Sequence, residues 1–450
     1  MRLLSENKVP IPLPTTSTPC RWSRWNDVIT VDGDYMVVFN TLAQTAVLLR
    51  KEEYVPLERM PQETFDTLYQ LGIIVANDKD ETGIAARRFE EGKHDLSYLD
   101  LTILLTQQCQ FRCVYCFEGT KKDIELDEDT SGDIIRFLES KSDGLKKLRV
   151  TWFGGEPLLA FARLKTLSQR LIAFCEQHHI NYIADMVTNG YNLTEERCRE
   201  LTQDLRIKRY IITLDGPAPM HDKRRPLRSG LPTFNKVWDN ITALVEIGAL
   251  VNLRMTIDRE NLGSIPALLD KIASGPFARK TGLSFCRTMD YDFTPDTVQE
   301  VIFNEREFAD IEWGLIQYAH QLGLWGYRFP HSAPLGGCLR RGDIVIGTRG
   351  EIFKCLDTVG DERWISGHIT GEDTNHPEWY AQWLNWSPTQ SASCRVCVLQ
   401  PLCNGGCPHN ALFTDKKHGN TTQCPDWKAN YKRQIIELAK EYITRNNLSK

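Results

Sequence analysis

From residue 98 the chain repeats one pattern six times, a short apolar run followed by a helix-length amphipathic stretch. The runs are YLDLTILLT, LRVTWFGG, YIADMVTN, RYIITLDG, VNLRMTID and GLSFCRT. Strands separated by helices cannot pair as hairpins. Each returns to its sheet through a crossover, so the strands run parallel and the helices cover them. Six units predict an α/β fold, a partial (β/α)6 TIM barrel, in which active groups collect at the strand C-termini. The loop after the first strand is therefore where chemistry is expected.

At 450 residues the chain has the length of about three domains. Residues 1-95 are expected to form a small α+β module, winged-helix-like in its order of elements. VITVDGDYMVVFN reads as a hairpin around Asp-Gly, TLAQTAVLLRK and PQETFDTLYQLG as helices, and IIVAND as a strand. A charged segment, KDETGIAARRFEEGKHD, leads into the barrel at 96-325, whose last helical stretch is 297-323. Residues 326-450 change texture to short strands, glycines and cysteines, a region expected to rely on metal for its fold.

The net charge of -5 gives no electrostatic reason to expect nucleic acid or an anionic membrane as a partner. No apolar run is long enough to span a bilayer, and the N-terminal stretch lacks the apolar core of a secretory signal, so a cytoplasmic location is expected. In that setting fourteen cysteines point to metal or redox chemistry more than to disulfides. Three lie at Cys109, Cys113 and Cys116 and seven between Cys338 and Cys424. The scattered Cys20, Cys175, Cys198 and Cys286 read as ordinary buried thiols.

LLTQQCQFRCVYCFEG, residues 104-119, is one ligand short of a tetrahedral thiolate site, so any metal centre held by this loop alone has a vacant position. The spacing C-x3-C-x2-C suits three irons of a cubane whose fourth iron stays open to a chelating ligand. A zinc site completed by a remote residue is the alternative. At the end of the second predicted strand, FGGEP offers Gly154 and Gly155, where backbone carbonyls can approach a ligand, and Glu156, whose charge suits an ammonium.

CQFRCVYC, with Tyr115 just before the last cysteine, resembles the cluster loop of the radical S-adenosylmethionine (SAM) superfamily, and FGGEP resembles that family's amino-group motif. The resemblance implies a 4Fe-4S cluster on Cys109, Cys113 and Cys116, and reductive cleavage of SAM to a 5'-deoxyadenosyl radical that abstracts hydrogen from a substrate. It also implies a set of cofactor-binding residues: Tyr115, Phe117, Gly154, Gly155 and Glu156, with Asn189 of VTNG near the ribose and Thr213 of ITLDGPAPMHDKRR at the carboxylate. Arg254 would pair that carboxylate or be a buried structural arginine. Asp215 and His221 are read evenly as functional or as parts of a helix-leading loop.

Downstream, Cys338 is separated by eleven residues from Gly350, which four residues separate from Cys355; Cys394-x2-Cys397-x5-Cys403-x3-Cys407 and then Cys424 follow. Seven thiolates suit two centres, although the middle four in isolation could form a zinc ribbon. The full series is similar to the SPASM extension of radical SAM enzymes. By that resemblance Cys338, Cys355 and Cys407 hold one auxiliary 4Fe-4S cluster, and Cys394, Cys397, Cys403 and Cys424 the other. The hairpin LRRGDIVIGTRGEIFK lacks the further cysteine of sulfatase-maturing members. That departure weighs against sulfatase maturation and leaves an iron that a substrate thiolate could take, or equally a non-cysteine or distant ligand of the protein. Asp357 stands one residue beyond the place of the maturases' candidate base, which makes it a weak catalytic candidate beside its reading as a turn residue.

The resemblance thus implies a RiPP-maturase or sulfatase-maturase-like enzyme that crosslinks or oxidises a side chain of a peptide or protein. Three clusters, SAM and an electron donor such as ferredoxin or flavodoxin would serve it, and the N-terminal module would dock a leader peptide or simply cover the barrel. The rivals are the same chemistry on a small molecule, and a zinc-stabilised binding protein without catalysis.

Overall fold

The computed structural model describes residues 1-5, 12-14, 18-116, 118, 122-290, 296-330, 337-371, 377-413 and 424-448. It divides into two compact units. Met1–His94, Tyr327–Leu339 and Gln382–Lys450 form one, and Asp95–Gly326 with Arg340–Ala381 the other.

In the first unit β1 (Arg2–Ser5), β2 (Cys20–Trp22), β3 (Asn26–Thr30), β4 (Tyr35–Asn40), β5 (Thr45–Arg50) and β6 (Ile74–Ala76) make a four-stranded antiparallel sheet, order β1-β5-β4-β3, and a β2-β6 ribbon. The hairpin expected around Asp-Gly is β3-β4. Its turn is fixed by the Asp32 carboxylate, which accepts from the main-chain N–H of Asp34 and of Tyr35. TLAQTAVLLRK, read as a helix, is instead a turn followed by β5. Gln44 at φ 57° breaks any helix there, and β5 is buried on both faces, so its apolar run carries no period of two to distinguish it. Val37, Phe39, Ala46 and Leu48 pack on Ile435, Ala439 and Ile443 of the C-terminal helix Tyr431–Arg445. On the opposite face Val38, Val47 and Leu49 pack on Leu68, Leu71 and Ile73 behind the expected helix Gln62–Gln70. Each such fully buried aliphatic side chain stabilises the unit by about 2 kcal/mol. The charged segment after β6 is the helix Glu81–His94, anchored at its start by buried Glu81, which accepts from Arg21 and Ser23.

The second unit is built on β7 (Tyr98–Leu104), β8 (Lys147–Phe153), β9 (Asn181–Thr188), β10 (Ile207–Thr213), β11 (Leu250–Ile257) and β12 (Thr281–Arg287). All six match the expected runs, and they lie side by side in chain order and parallel. Alternate residues form one almost fully buried face: Leu101 and Ile103, Leu148 and Val150, Ala184 and Met186, Tyr210 and Ile212, Leu253 and Met255. The helices Phe161–Gln177, Phe234–Glu246 and Glu305–Gln321 lie against β9, β11 and β12. The last of these starts at Asn304, whose capping box with Glu307 splits the stretch expected as one helix over 297-323.

At the free edge of β7 the sheet continues with β13 (Asp343–Ile346), parallel to β7, then β14 (Glu351–Phe353) and β15 (Gly367–His368), both antiparallel to their neighbours. The hairpin of the cysteine-rich region is therefore continuous with the barrel sheet. On the inner face Leu104, Phe153 and Val187 meet Val345, Phe353 and the following Leu356, Val359, Trp364 and Ile365. Ile211 and Arg254, on the same face of β10 and β11, are exposed.

Candidate functional site

The cysteine loop opens where β7 ends. Gly155 N–H donates to Thr106 O (2.9 Å) and Glu156 N–H to Gln108 O (2.8 Å), so the turn after β8 is zipped onto the segment that leads into Cys109. That approach excludes any side chain. A Cβ at Gly154, whose φ is 132°, would stand 2.3 Å from Thr106 O, and one at Gly155 2.2 Å from Gln108 O.

Glu156 is fully buried, and its carboxylate accepts from Thr188 Oγ1 (2.7 Å), Asn189 N (2.7 Å) and Leu158 N (3.1 Å). Burial pushes its pKa up to about 7 against the pull of these bonds. The side chain that the sequence offers to an ammonium is thus committed to the protein's own donors, and it ties the β8 turn to the end of β9. Asn189, expected near a ribose, sends its Nδ2 to Cys109 Sγ (3.8 Å) and accepts on Oδ1 from Tyr191 N (2.9 Å). Phe111 N–H also donates to Cys109 Sγ (3.4 Å). A sulfur with two N–H donors aimed at it is held as an acceptor.

Beyond Cys109 the loop lies along residues 224-228: Arg112 N–H donates to Pro226 O (2.9 Å), Val114 N–H to Arg224 O (3.1 Å), and Phe111 bridges Leu227. Tyr115 closes the contact. Its hydroxyl donates to the buried Asp215 carboxylate and accepts from Arg225 Nη1 (2.9 Å). Burial raises the phenol well above its ordinary pKa, so it stays protonated. Asp215 accepts from Thr256 N–H (3.0 Å), and its own N–H donates to His221 Nδ1 (3.3 Å). Burial, with Arg225 and Arg224 beside it, holds that imidazole neutral well below its usual pKa. Asp215 and His221 therefore brace the loop.

Arg224 and Arg225 are what the sequence reading missed. Arg224, 1% exposed, is gripped by both oxygens of Asp258 (2.9 and 2.8 Å). Burial works against the charge of Arg225, yet Cys113, Tyr115 and Asp215 outweigh it and hold its pKa well above the ordinary value. The only signal was the run HDKRR, which looked like solvated surface charge.

Thr213, the last residue of β10, is the register partner of Arg254 within β11, and Arg254 is exposed, which removes its reading as a buried structural arginine. Phe117 lies outside the described residues. Asp357 sits exposed in the 3-10 turn Leu356–Thr358, not on a strand, and Leu356 packs inward in its place.

In the first unit Lys428 Nζ donates to Cys424 Sγ (3.4 Å). Burial lowers the pKa of this ammonium, but Cys397 and Cys424 more than restore it. Cys403, pushed up to about 11 by burial, is bonded by the main chain of Gly405 and feels Cys397 and Cys394. The structure thus brings Cys394, Cys397, Cys403 and Cys424 into one neighbourhood around Lys428. Cys338 and Cys407 belong to this unit and Cys355 to the other. Of the four scattered cysteines read as buried thiols, Cys175 and Cys198 are buried, and burial raises both to about 12, whereas Cys20 and Cys286 are only half-buried.

These donor sets suit iron-sulfur centres chemically: soft thiols, N–H groups directed at sulfur, and an ammonium or guanidinium to offset an anionic cluster. Among the described residues no three His, Cys, Asp or Glu side chains close on one point as ligands of a single ion do. A cubane makes no such demand, because each thiolate takes a separate iron. No helix among the described residues is long and apolar enough to cross a membrane.

Comparison with known proteins agrees with this chemistry. Residues 103–272 match the model of the radical SAM superfamily. The chain is 23% identical over 377 residues to a cysteine-type anaerobic sulfatase-maturating enzyme of Clostridium novyi, covering 74% of this chain and 94% of that one. In two further curated relatives the match spans only 44% and 39% of their length. In fold, the chain is similar to native anSMEcpe with bound AdoMet and Kp18Cys peptide (TM-score 0.56, 16% identity, 76% of this chain and 99% of that one). It is also similar to Streptococcus suis SuiB bound to precursor peptide SuiA (TM-score 0.52, 13% identity, 90% and 99%).

Proposed function

We propose that this chain, whose residues 103–272 match the radical SAM superfamily, is a peptide-modifying enzyme that uses S-adenosylmethionine and three iron-sulfur clusters to install a crosslink or an oxidation on a substrate side chain. The observation that carries the reading is the docking of the three-cysteine loop. It is locked to the GGE turn on one side and to Arg224-Arg225 on the other, at the C-terminal end of the first barrel strand.

When bound, the cluster and SAM supply one-electron cleavage and a carbon radical, chemistry that belongs to the cofactor. The protein's part is binding and orientation. Cys109, Cys113 and Cys116 would hold the SAM-binding cluster. With the Glu156 carboxylate committed elsewhere, the main-chain carbonyls of Gly154 and Gly155 would take the amino group, and Thr213 with its neighbour Arg254 the carboxylate. Asn189 orients and polarises Cys109, and Arg225 balances the charge of the loop. Cys394, Cys397, Cys403 and Cys424 would hold one auxiliary cluster and Cys338, Cys355 and Cys407 the other.

Two things support a peptide as substrate: the relative named as sulfatase-maturating, and two similar folds whose solved complexes contain peptides. The test is anaerobic reconstitution followed by measurement of 5'-deoxyadenosine and methionine under reducing conditions. Wild-type protein should release both, and a variant with alanine at Cys109, Cys113 and Cys116 neither. Release that survives the triple change would overturn the assignment.

A further inference from the structure

On the inner face of the second unit a diagonal row of charges crosses four strands. Asp100 on β7 lies 3.6 Å from Arg149 on β8. Arg149 Nε donates to Asp185 Oδ2 on β9 (2.7 Å), and Asp185 also receives Arg209 of β10, from Nε to Oδ1 (2.7 Å) and from Nη2 to Oδ2 (2.9 Å). One buried carboxylate thus serves two guanidiniums. Asp185 is 9% exposed, whereas Arg209 is 46% exposed, and among the described residues Asp185 is the only partner of Arg209. Burial raises the Asp100 carboxyl above its ordinary value, so it offsets Arg149 less fully than a solvated aspartate would.

A purely structural ion pair needs no exposed guanidinium edge and no apolar surface beside it. Here two exposed aliphatic side chains flank Arg209. Ile211, two residues on along the same face, is 36% exposed, and Leu250, the register partner of Arg209 on β11, is 61% exposed. The bidentate grip of Asp185 fixes the guanidinium plane, so an incoming carboxylate meets a donor pair already oriented and loses little side-chain freedom on binding.

We propose that Arg209, clamped by Asp185 and flanked by Ile211 and Leu250, is a specificity subsite for an acidic residue with apolar neighbours on the peptide substrate. The inference rests on the peptide-modifying reading given above. Arg209 lies four residues below Thr213 on one strand, roughly 13 Å at the rise of a β-strand. Thr213 is the residue proposed above to take the SAM carboxylate, so the subsite lies on the same strand as the cofactor site and about four residues of extended chain away from it.

The test uses the reconstituted full-length protein and calorimetric titration with two amidated pentapeptides, Gly-Leu-Glu-Leu-Gly and its Glu-to-Gln counterpart. The acidic peptide is expected to bind about tenfold more tightly at low ionic strength, the worth of a charge-assisted hydrogen-bonded pair. Arg209→Gln should erase the difference, Arg209→Lys should keep part of it, and Ile211→Ser should weaken both peptides alike. Arg149 still pairs Asp185 in these variants, so iron content should match wild type and melting temperature should fall only modestly. If wild-type protein binds the two peptides equally, or the preference survives Arg209→Gln, the subsite is overturned and the peptide reading stands. If neither peptide binds, the subsite falls and the peptide reading falls with it.

Discussion

At Gly155 a single missing carbon decides whether the cysteine loop can form. Its N–H reaches Thr106 O at 2.9 Å, and a Cβ there would sit 2.2 Å from Gln108 O, which is main chain and cannot swing aside. Gly155→Ala must therefore push the β8 turn away from the segment that leads into Cys109. The expected result is a folded protein that loads about four fewer irons, seen by parallel iron and acid-labile sulfide assays, with a stability loss of about 1-3 kcal/mol from the broken bonds. A glycine conserving only a turn would give a variant with full iron. Asn189→Ala should act more gently, since it removes one N–H donor to Cys109 Sγ and leaves the thiol in place. Loss of a hydrogen bond to cluster sulfur lowers the reduction potential, so the expected change is a negative shift in a potentiometric titration followed by paramagnetic resonance, with iron content unchanged.

Among the elements, the seam between β7 and β13 carries an unusual pair, because Asp343 faces Asp100 in register. Asp343 is 5% exposed, its two carboxylate oxygens accept no hydrogen bond among the described residues, and Arg340 Nε stands 3.8 Å away. Burial raises its pKa to about 7, opposed by Arg340 and Lys354 and helped by Asp100. The folded protein thus binds a proton that the unfolded chain releases near pH 4. The stability this contributes is present in full below that pH and is lost as pH rises through about 7. Asp343→Asn should flatten the fall in melting temperature between pH 5 and 8 and leave the variant more stable than wild type at pH 8, by on the order of 3 kcal/mol or less. Parallel pH profiles of the two proteins would show it, and identical slopes would count against the seam. The six barrel strands were legible in the sequence because strands covered by helices read as apolar runs with loops at fixed places. β5, buried on both faces without such punctuation, was not, and neither was the inner charge row. Asp100, Arg149, Asp185 and Arg209 are far apart in the chain and meet only through the register of four parallel strands, which no local pattern records.

Across the whole molecule, two of the three proposed clusters draw all their cysteines from one unit each, so the metal they would hold is separable by substitution, whereas Cys338 and Cys407 belong to the first unit and Cys355 to the second. The second unit carries Cys109, Cys113 and Cys116 on a loop braced by Asp215, Arg224 and Arg225, with a large apolar core independent of any metal. The first unit carries Cys394, Cys397, Cys403 and Cys424 on short helical turns, where Asn404, Gly405 and Gly406 all take positive φ and the large buried apolar side chains nearby are few, Trp383, Trp386, Leu399 and Leu402. Such a segment cannot offset its own ordering entropy by burial, so ligation should be part of its folding free energy. If the three proposed centres are all cubanes, the reconstituted protein should hold roughly twelve irons. Alanine at Cys109, Cys113 and Cys116 should remove about four, abolish SAM cleavage and leave the melting profile nearly unchanged. Alanine at Cys394 and Cys397 should also remove about four, but with a lowered or broadened melting transition and faster proteolysis between residues 382 and 450. The reverse pattern, in which losing the first cluster destabilises the chain and losing the second does not, would mean that the barrel loop depends on metal for its order and the cysteine-rich segment does not.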